Sequence, residues 1–415
     1  MSEDNLYCAL AFNSISFGAH GGSRPCCAVD THHWEELTHT FPDFDNNVKM
    51  WFNNKDIVQL RQDLLNGKWN PICNLCKVRE QHNQASTRQI FNNTLSDFEE
   101  KTNRSWRENT AQVSDLSNIF LLDITVGNKC NSACLMCNSS ASSLWAKEQR
   151  DITGFHWEGR NLNWFSEENV PNLIDNLSNL KAIQFAGGEP TISEPMIFLL
   201  KRLIEQGRSK DITLGYVTNL TGISDELLEL WTHFSTKHIT VSIDGVGSVN
   251  EYQRFPFTWK KVCSQFDKLK NISKEHGDYS IGLSHTITSM NILKLDEMID
   301  WWEQQISQGC GLLTSLPHMQ CVNNPNYFDP VYIPKNMKQA VTTMLDNLES
   351  KYETTGLLSK YKPAIDNIRT NVCNKDIADD VQQEMWNKMK KFIEPLDKYR
   401  KRNIFDYLPY MKEFY

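Results

Sequence analysis

Three cysteines within eight residues, Cys130-Asn-Ser-Ala-Cys134-Leu-Met-Cys137, constrain this chain more than any other feature. Thiolates at that spacing can wrap one metal centre from a single loop. Three ligands from one loop suit an iron–sulfur cube that leaves one iron open to another ligand. A closed structural zinc site takes four ligands, usually as two pairs, and no further Cys or His stands close by in the chain. Spacing therefore ranks iron–sulfur ahead of zinc and leaves zinc as the alternative. The loop follows an apolar, β-branched run at 119–126, so the cysteines sit at the C-terminal end of an expected strand.

From about residue 118 such runs alternate with helical patterns, the mark of repeated βα units and a parallel sheet. Strands are expected at 119–126, 182–186, 213–218, 238–243, 279–286 and 312–316. Helices are expected at 169–180, 194–206, 225–234, 259–272 and 295–305. Six units are too few for an eight-stranded barrel, so the fold expected is α/β, a partial (β/α)6 TIM-like barrel. Residues 1–116 read as irregular and Cys-rich, with one amphipathic helix at 54–66 and a polar helix or linker at 88–105. Beyond residue 336 the chain reads as helical. The expected domains are 1–116, 117–325 and 326–415.

A second loop, Gly187-Gly188-Glu189-Pro190, follows the second expected strand. Gly-Gly alone is a plain turn signal. In β/α barrels, however, reactive groups sit on loops at the C-terminal strand ends, and glycines there let a ligand approach the backbone. Both loops would then open onto one face.

Composition narrows the class. The 415 residues are 40% hydrophobic and 23% charged, which is globular and excludes wholesale disorder. No apolar run approaches the roughly 18–20 residues of a membrane span. The N-terminus lacks a basic, then apolar, signal segment. A cytoplasmic, reducing setting is therefore expected, where cysteines more often serve metal or catalysis than disulfides. Eight of the twelve cysteines fall in the first 137 residues. Cys263, Cys310, Cys321 and Cys373 are isolated and read as core. The net charge of −8 gives no bulk attraction to phosphate backbones or anionic lipid.

CX3CX2C followed some fifty residues later by GGEP resembles the radical S-adenosylmethionine (radical SAM) superfamily over roughly residues 118–325. The resemblance implies that Cys130, Cys134 and Cys137 hold a [4Fe–4S] cluster. The open iron would take the amino and carboxylate groups of S-adenosylmethionine. Reductive cleavage would then give a 5′-deoxyadenosyl radical that abstracts a substrate hydrogen. Gly187, Gly188, Glu189 and Pro190 would pair with the methionyl amino group, and Met136 would sit near adenine, where many family members carry an aromatic residue. Segments matching Thr218-Asn219 and Ser242-Ile-Asp244 line the ribose and carboxylate in the family. Asn219, Ser242 and Asp244 have side chains that can bond sugar hydroxyls. Asp244-Gly245 also reads as a plain turn. Arg254 would pair with the cofactor carboxylate or lie on the surface. His285 and His318 fall near the ends of the fifth and sixth expected strands, and a lone His is more often structural.

The N-terminal cysteines resemble the auxiliary-cluster module of SPASM and twitch radical SAM proteins, here placed before the barrel as in the N-terminal twitch group. The stretch CNLCKVREQHNQASTR at 73–88 matches that group's CX2CX3E…S.R pattern. Cys8, Cys26, Cys73 and Cys76 would close a second [4Fe–4S] cluster, with Cys27 competing with Cys26. A zinc ribbon is the alternative for these four. A closed cluster favours electron relay over substrate binding. The resemblance implies a peptide, protein side chain or small molecule as substrate and a flavodoxin- or ferredoxin-type reductant, with no membrane partner.

Residues 388–402 hold seven Lys and Arg among fifteen. A solvated helix face is the ordinary explanation. A nucleic-acid surface using Lys398, Arg400, Lys401 and Arg402 would make the chain a nucleoside- or nucleic-acid-modifying enzyme. A metal-stabilised binding protein without radical chemistry is the further alternative. Trp301-Trp302 reads as packing.

Overall fold

The computed structural model describes residues 6–19, 21–29, 52–53, 55–81, 85–102, 105, 107–108, 110–113, 116–155, 164–308 and 317–415. The strand expected at 312–316 and Cys310 lie outside the described residues. The chain divides into two compact units, and the divisions do not follow the expected boundaries at 116 and 325. One unit joins Met1–Lys129, Glu158–Tyr216 and Glu229–Lys237, and the other joins Cys130–Trp157, Val217–Leu228 and His238–Tyr415.

In the first unit, β1 (Ser14–Phe17) pairs antiparallel with β2 (Ser23–Arg24) and parallel with β3 (Leu121–Thr125). β5 (Ala182–Ala186) pairs parallel with β3, and β6 (Thr213–Thr218) with β5. The order is β6-β5-β3-β1-β2. The N-terminal segment is thus not a separate module, because Ser14–Phe17 extends the sheet with Ser16 opposite Asp123. All four β1 residues are buried. Ser16 is tolerated there because its hydroxyl donates to the Asp123 carboxylate at 2.6 Å. Burial raises the Asp123 pKa, with Ser16 and Arg24 opposing.

The helix expected at 54–66 forms at Lys55–Leu65 and buries Ile57, Leu60 and Leu64. The segment expected as polar helix or linker is the Thr87–Thr102 helix.

In the second unit, β9 (Tyr279–Ile287) lies between β7 (Lys237–Ser242) and β10 (His318–Cys321). His318 opens β10 and does not end a strand. A short ladder joins β4 (Ala133–Cys134) to β8 (Arg254–Phe255) antiparallel. Helices at Ser143–Thr153, Trp259–His276 and Leu295–Ser307 separate the strands. Ser142 caps the first by accepting from the Trp145 N–H, and Gly154, at φ 72°, ends it.

The C-terminal region is helical as expected, with helices at Lys335–Thr355, Leu358–Ile368 and Asp379–Arg400. It is no appendage. Its Met337, Val341, Leu345, Trp386, Met389 and Leu408 share one core with Ala133, Trp145, Tyr252, Met290 and Ile299. Trp302 is fully buried, and Trp301 packs on Trp259 and Phe266, so this pair is packing. Parallel strands alternating with helices give the α/β class of a partial barrel. Among the described residues, no helix is long and apolar enough to cross a membrane.

Candidate active site

The first unit presents the Gly187–Pro190 turn at the end of β5. Gly188 and Glu189 donate their N–H groups to the carbonyls of Gly127 and Lys129, at 2.9 and 2.8 Å. A Cβ on Gly188 would stand 2.3 Å from the Lys129 oxygen, and Gly187 adopts φ +117° with a Cβ site 2.9 Å from the Gly127 oxygen. Both glycines are therefore demanded by the backbone they pack on, the three residues leading into Cys130. Glu189 is buried, and its Oε1 accepts from the Thr191 N–H and hydroxyl at 3.1 and 2.6 Å. Pro190, also buried, opens the short helix that follows.

The second unit carries the cysteine loop. Cys134 is buried, and Cys130 and Cys137 are half-buried. The Cys134 thiol lies 3.0 Å from the Ser132 hydroxyl and 3.7 Å from Arg254 Nη1. The cross-strand pair Cys134–Arg254 brings that guanidinium there, although 120 residues separate the two. Arg254 is also ion-paired with Asp244 at 2.6 Å, and the Asp244 side chain is fully buried. Burial opposes the Arg254 charge, but Asp244 and the two cysteines outweigh it and raise its pKa. Asp244 further accepts from the Thr286 N–H at 2.7 Å. It is thereby committed within the chain and holds Arg254, and Arg254 is no surface residue.

Asn219 follows β6 and donates to Asn131, beside Cys130, at 2.8 Å. Its own Oδ1 accepts from Thr221, and Leu220 between them is held at φ 71°. Strain of that kind collects at functional sites. Ser242 closes β7 half-buried. Met136 packs partly buried against the shared core. His285 is buried, with Nδ1 3.0 Å from the Ile243 carbonyl, and burial lowers its pKa, so it is structural. Cys137 also lines a cavity of about 420 Å³ with Trp145, Tyr327, Lys391 and Phe392.

Two of the seven basic residues of the C-terminal run are consumed internally. Arg400 pairs with Glu148 at 2.6 Å, each side chain 3% exposed. Arg402 donates to the Glu251 carbonyl at 2.8 Å and stacks on Phe255 and Tyr407. The solvated-face expectation fails for these two.

The donor set suits a cluster. Burial, then Cys134, pushes the Cys137 thiol up to about 12, so a cationic centre is what would stabilise its thiolate. No three Cys, His, Asp or Glu among the described residues converge as closely as one metal ion requires.

The N-terminal cysteines belong to the first unit. Cys8 and Cys76 are buried, Cys26 and Cys73 half-buried, and Cys27 exposed. Burial, then Cys8, Cys27 and Cys73, raises the Cys26 pKa. Cys27 is pushed to about 12 by burial and then by Asp123. The segment carrying Cys8 is clamped on both flanks. Arg88 and Asn92 donate to the Tyr7 carbonyl at 2.8 and 2.7 Å, and Asn92 accepts from the Ala9 N–H at 2.7 Å. Glu80 holds Arg88 through two bonds, at 3.0 and 2.7 Å, and accepts from the Ser86 hydroxyl at 2.5 Å. The Glu, Ser and Arg after the CX2C pair therefore form one clamp on Cys8. Sequence reading missed Asn92, Trp145, Glu148 and the role of Arg400, whose partners lie far away in the chain.

Residues 124–300 match the family model of the radical SAM superfamily. The chain is 25% identical over 183 residues to an uncharacterized protein of Methanocaldococcus jannaschii, covering 43% of this chain and 57% of that one. Among solved structures it is similar to anSMEcpe with bound AdoMet, at TM-score 0.38 and 14% identity over 57% of this chain and 61% of that one. It is also similar to SuiB of Streptococcus suis bound to the precursor peptide SuiA, at TM-score 0.35 and 11% identity over 70% and 62%. The chain thus spans about three fifths of each of these relatives. The matched residues, less than half of the chain, hold the three-cysteine loop, the GGEP turn, Asn219, Asp244 and Arg254, and it is over this part that the chain is similar to the radical SAM superfamily.

Proposed function

We propose that this chain binds S-adenosylmethionine at a [4Fe–4S] cluster on Cys130, Cys134 and Cys137 and uses it to oxidise or crosslink a peptide or protein side chain. A second [4Fe–4S] cluster on Cys8, Cys26, Cys73 and Cys76 completes the reading, of the N-terminal twitch kind. When bound, the first cluster and S-adenosylmethionine supply a 5′-deoxyadenosyl radical that takes hydrogen from the substrate. The chain's own residues hold and orient. Arg254, fixed by Asp244, keeps a positive charge beside the Cys134 sulfur. Gly187–Pro190 and Asn219 are assigned to the methionyl and ribose groups, Ser242 to the ribose, and Met136 to adenine.

The observation that carries the reading is the pairing of an intact three-cysteine loop with the clamp on Cys8. Arg88 and Asn92 spend three hydrogen bonds on the flanks of one buried cysteine, and Glu80 holds Arg88 through two more while accepting from Ser86. Such outer support is what orients a metal ligand. Cys26 is taken as the fourth ligand, with Cys27, on which Cys76 also acts, as its competitor. Four thiolates close that cluster, which suits relay of electrons to or from a flavodoxin- or ferredoxin-type protein. A nucleic-acid substrate is disfavoured because Arg400 and Arg402 are spent internally.

The test is iron, zinc and acid-labile sulfide per chain after anaerobic reconstitution. The reading expects about eight iron and eight sulfide. About four of each with one zinc would leave a zinc-stapled radical enzyme. Zinc without sulfide would leave a metal-stabilised binding protein.

A further inference from the structure

The second unit contains a buried ion pair that ties the C-terminal helix to the cysteine loop. Arg400 ends the Asp379–Arg400 helix. Its Nε lies 3.1 and 3.3 Å from the two Glu148 carboxylate oxygens, and its Nη2 lies 2.6 Å from one of them. The same Nη2 donates to the carbonyl of Ala133, the residue before Cys134, at 2.7 Å. The guanidinium packs on Phe255 and Trp145, with centroids at 4.4 and 5.2 Å. Trp145 in turn donates its indole N–H to the Cys134 carbonyl at 2.6 Å. Phe255 is the cross-strand partner of Ala133.

The carbonyls of Ala133 and Cys134 are therefore both held by side chains, one of which arrives from 267 residues away. A buried ion pair is a poor device for stability, since apolar residues of similar volume do as well or better. Its planar fork is a good device for geometry, because it fixes a carboxylate and a carbonyl at once. We propose that Arg400, oriented by Glu148, is a positioning residue that sets the height and angle of Cys134 for the cluster. This rests on the assignment of Cys134 as a cluster ligand.

The experiment compares wild type, Arg400→Lys, the double variant Arg400→Met/Glu148→Leu, and Lys398→Gln as an exposed control on the same helix. Each is reconstituted and examined for iron content, rate of iron loss to a chelator, and the reduced-cluster EPR signal that shifts on adding S-adenosylmethionine. Circular dichroism and a thermal melt report folding. The double variant removes both charges together, so it keeps the fold where a single charge left buried would not. The inference expects it to melt near wild type while losing that cluster's iron about tenfold faster or more, with altered g-values. Arg400→Lys keeps the charge but not the fork and should fall between, and Lys398→Gln should match wild type. A folded double variant with wild-type iron loss and g-values overturns the role of Arg400. A wild-type chain with no signal responding to S-adenosylmethionine overturns the cluster assignment itself, which is a separate failure.

Discussion

Cys137, Gly188 and His285 show three ways in which one residue can matter. Cys137→Ala should abolish formation of 5′-deoxyadenosine from S-adenosylmethionine while iron at the N-terminal cysteines persists. Chromatography of the nucleoside product with iron analysis checks this. Gly188→Ala puts a methyl 2.3 Å from the Lys129 oxygen. Backbone there cannot yield as a flexible side chain would, so a loss of about 1–3 kcal/mol is expected in denaturant unfolding. His285 carries a pH dependence. Burial depresses its pKa below the ordinary 6.5, so the unfolded chain takes up a proton that the native chain refuses. Its share of stability is present above pH 6.5 and lost as the pH falls below it, by at most about 1.4 kcal/mol per pH unit. His285→Gln should flatten that slope in urea midpoints measured between pH 7.5 and 5.5. An unchanged slope would assign the acid lability elsewhere.

At the scale of elements, the Thr87–Thr102 helix and the short β4–β8 ladder do the positioning. Arg88 and Asn92 stand on that helix four residues apart, one turn, and so both reach the backbone around Cys8. Arg88→Met would strand Glu80, whose side chain is 15% exposed, and leave the Tyr7 carbonyl to Asn92 alone. Under the two-cluster reading, iron should fall from about eight to about four per chain while S-adenosylmethionine cleavage uncoupled from turnover survives. A variant retaining all its iron would reduce the clamp to a local stability device. The ladder was not legible in the sequence. Ala133-Cys134 and Arg254-Phe255 are two residues each, too short for any periodicity, and only pairing defines them.

At the scale of the whole molecule, the C-terminal helices complete the core of the unit that holds the cysteine loop. Deleting residues 326–415 should therefore leave the remainder without cooperative unfolding, even though every residue matched by the family model is retained. A sharp thermal transition in the truncated chain would contradict this. The net charge of −8 and the internal use of Arg400 and Arg402 predict no measurable affinity for DNA or RNA at physiological salt, checked by titration at two ionic strengths.

The α/β class was legible in the order of residues alone. Five expected strands fall within a few residues of β3, β5, β6, β7 and β9, because short runs of apolar and β-branched residues, buried at every second position in β5, β7 and β9, mark a strand. The three cysteines and the GGEP turn stood out because the proposed cluster ligands and close backbone approach tolerate few other residue types. Ser14–Phe17 was not legible as a sheet strand, since its two serines break the apolar run and only Asp123 across the pair satisfies Ser16. Nor could spacing reveal that Asp244 serves Arg254, that Arg88 and Asn92 serve Cys8, or that Arg400 serves Ala133. Those assignments belong to the folded chain. A ligand is restricted by its own chemistry and so leaves a mark in the sequence. A supporting charge is restricted only by what folding brings beside it.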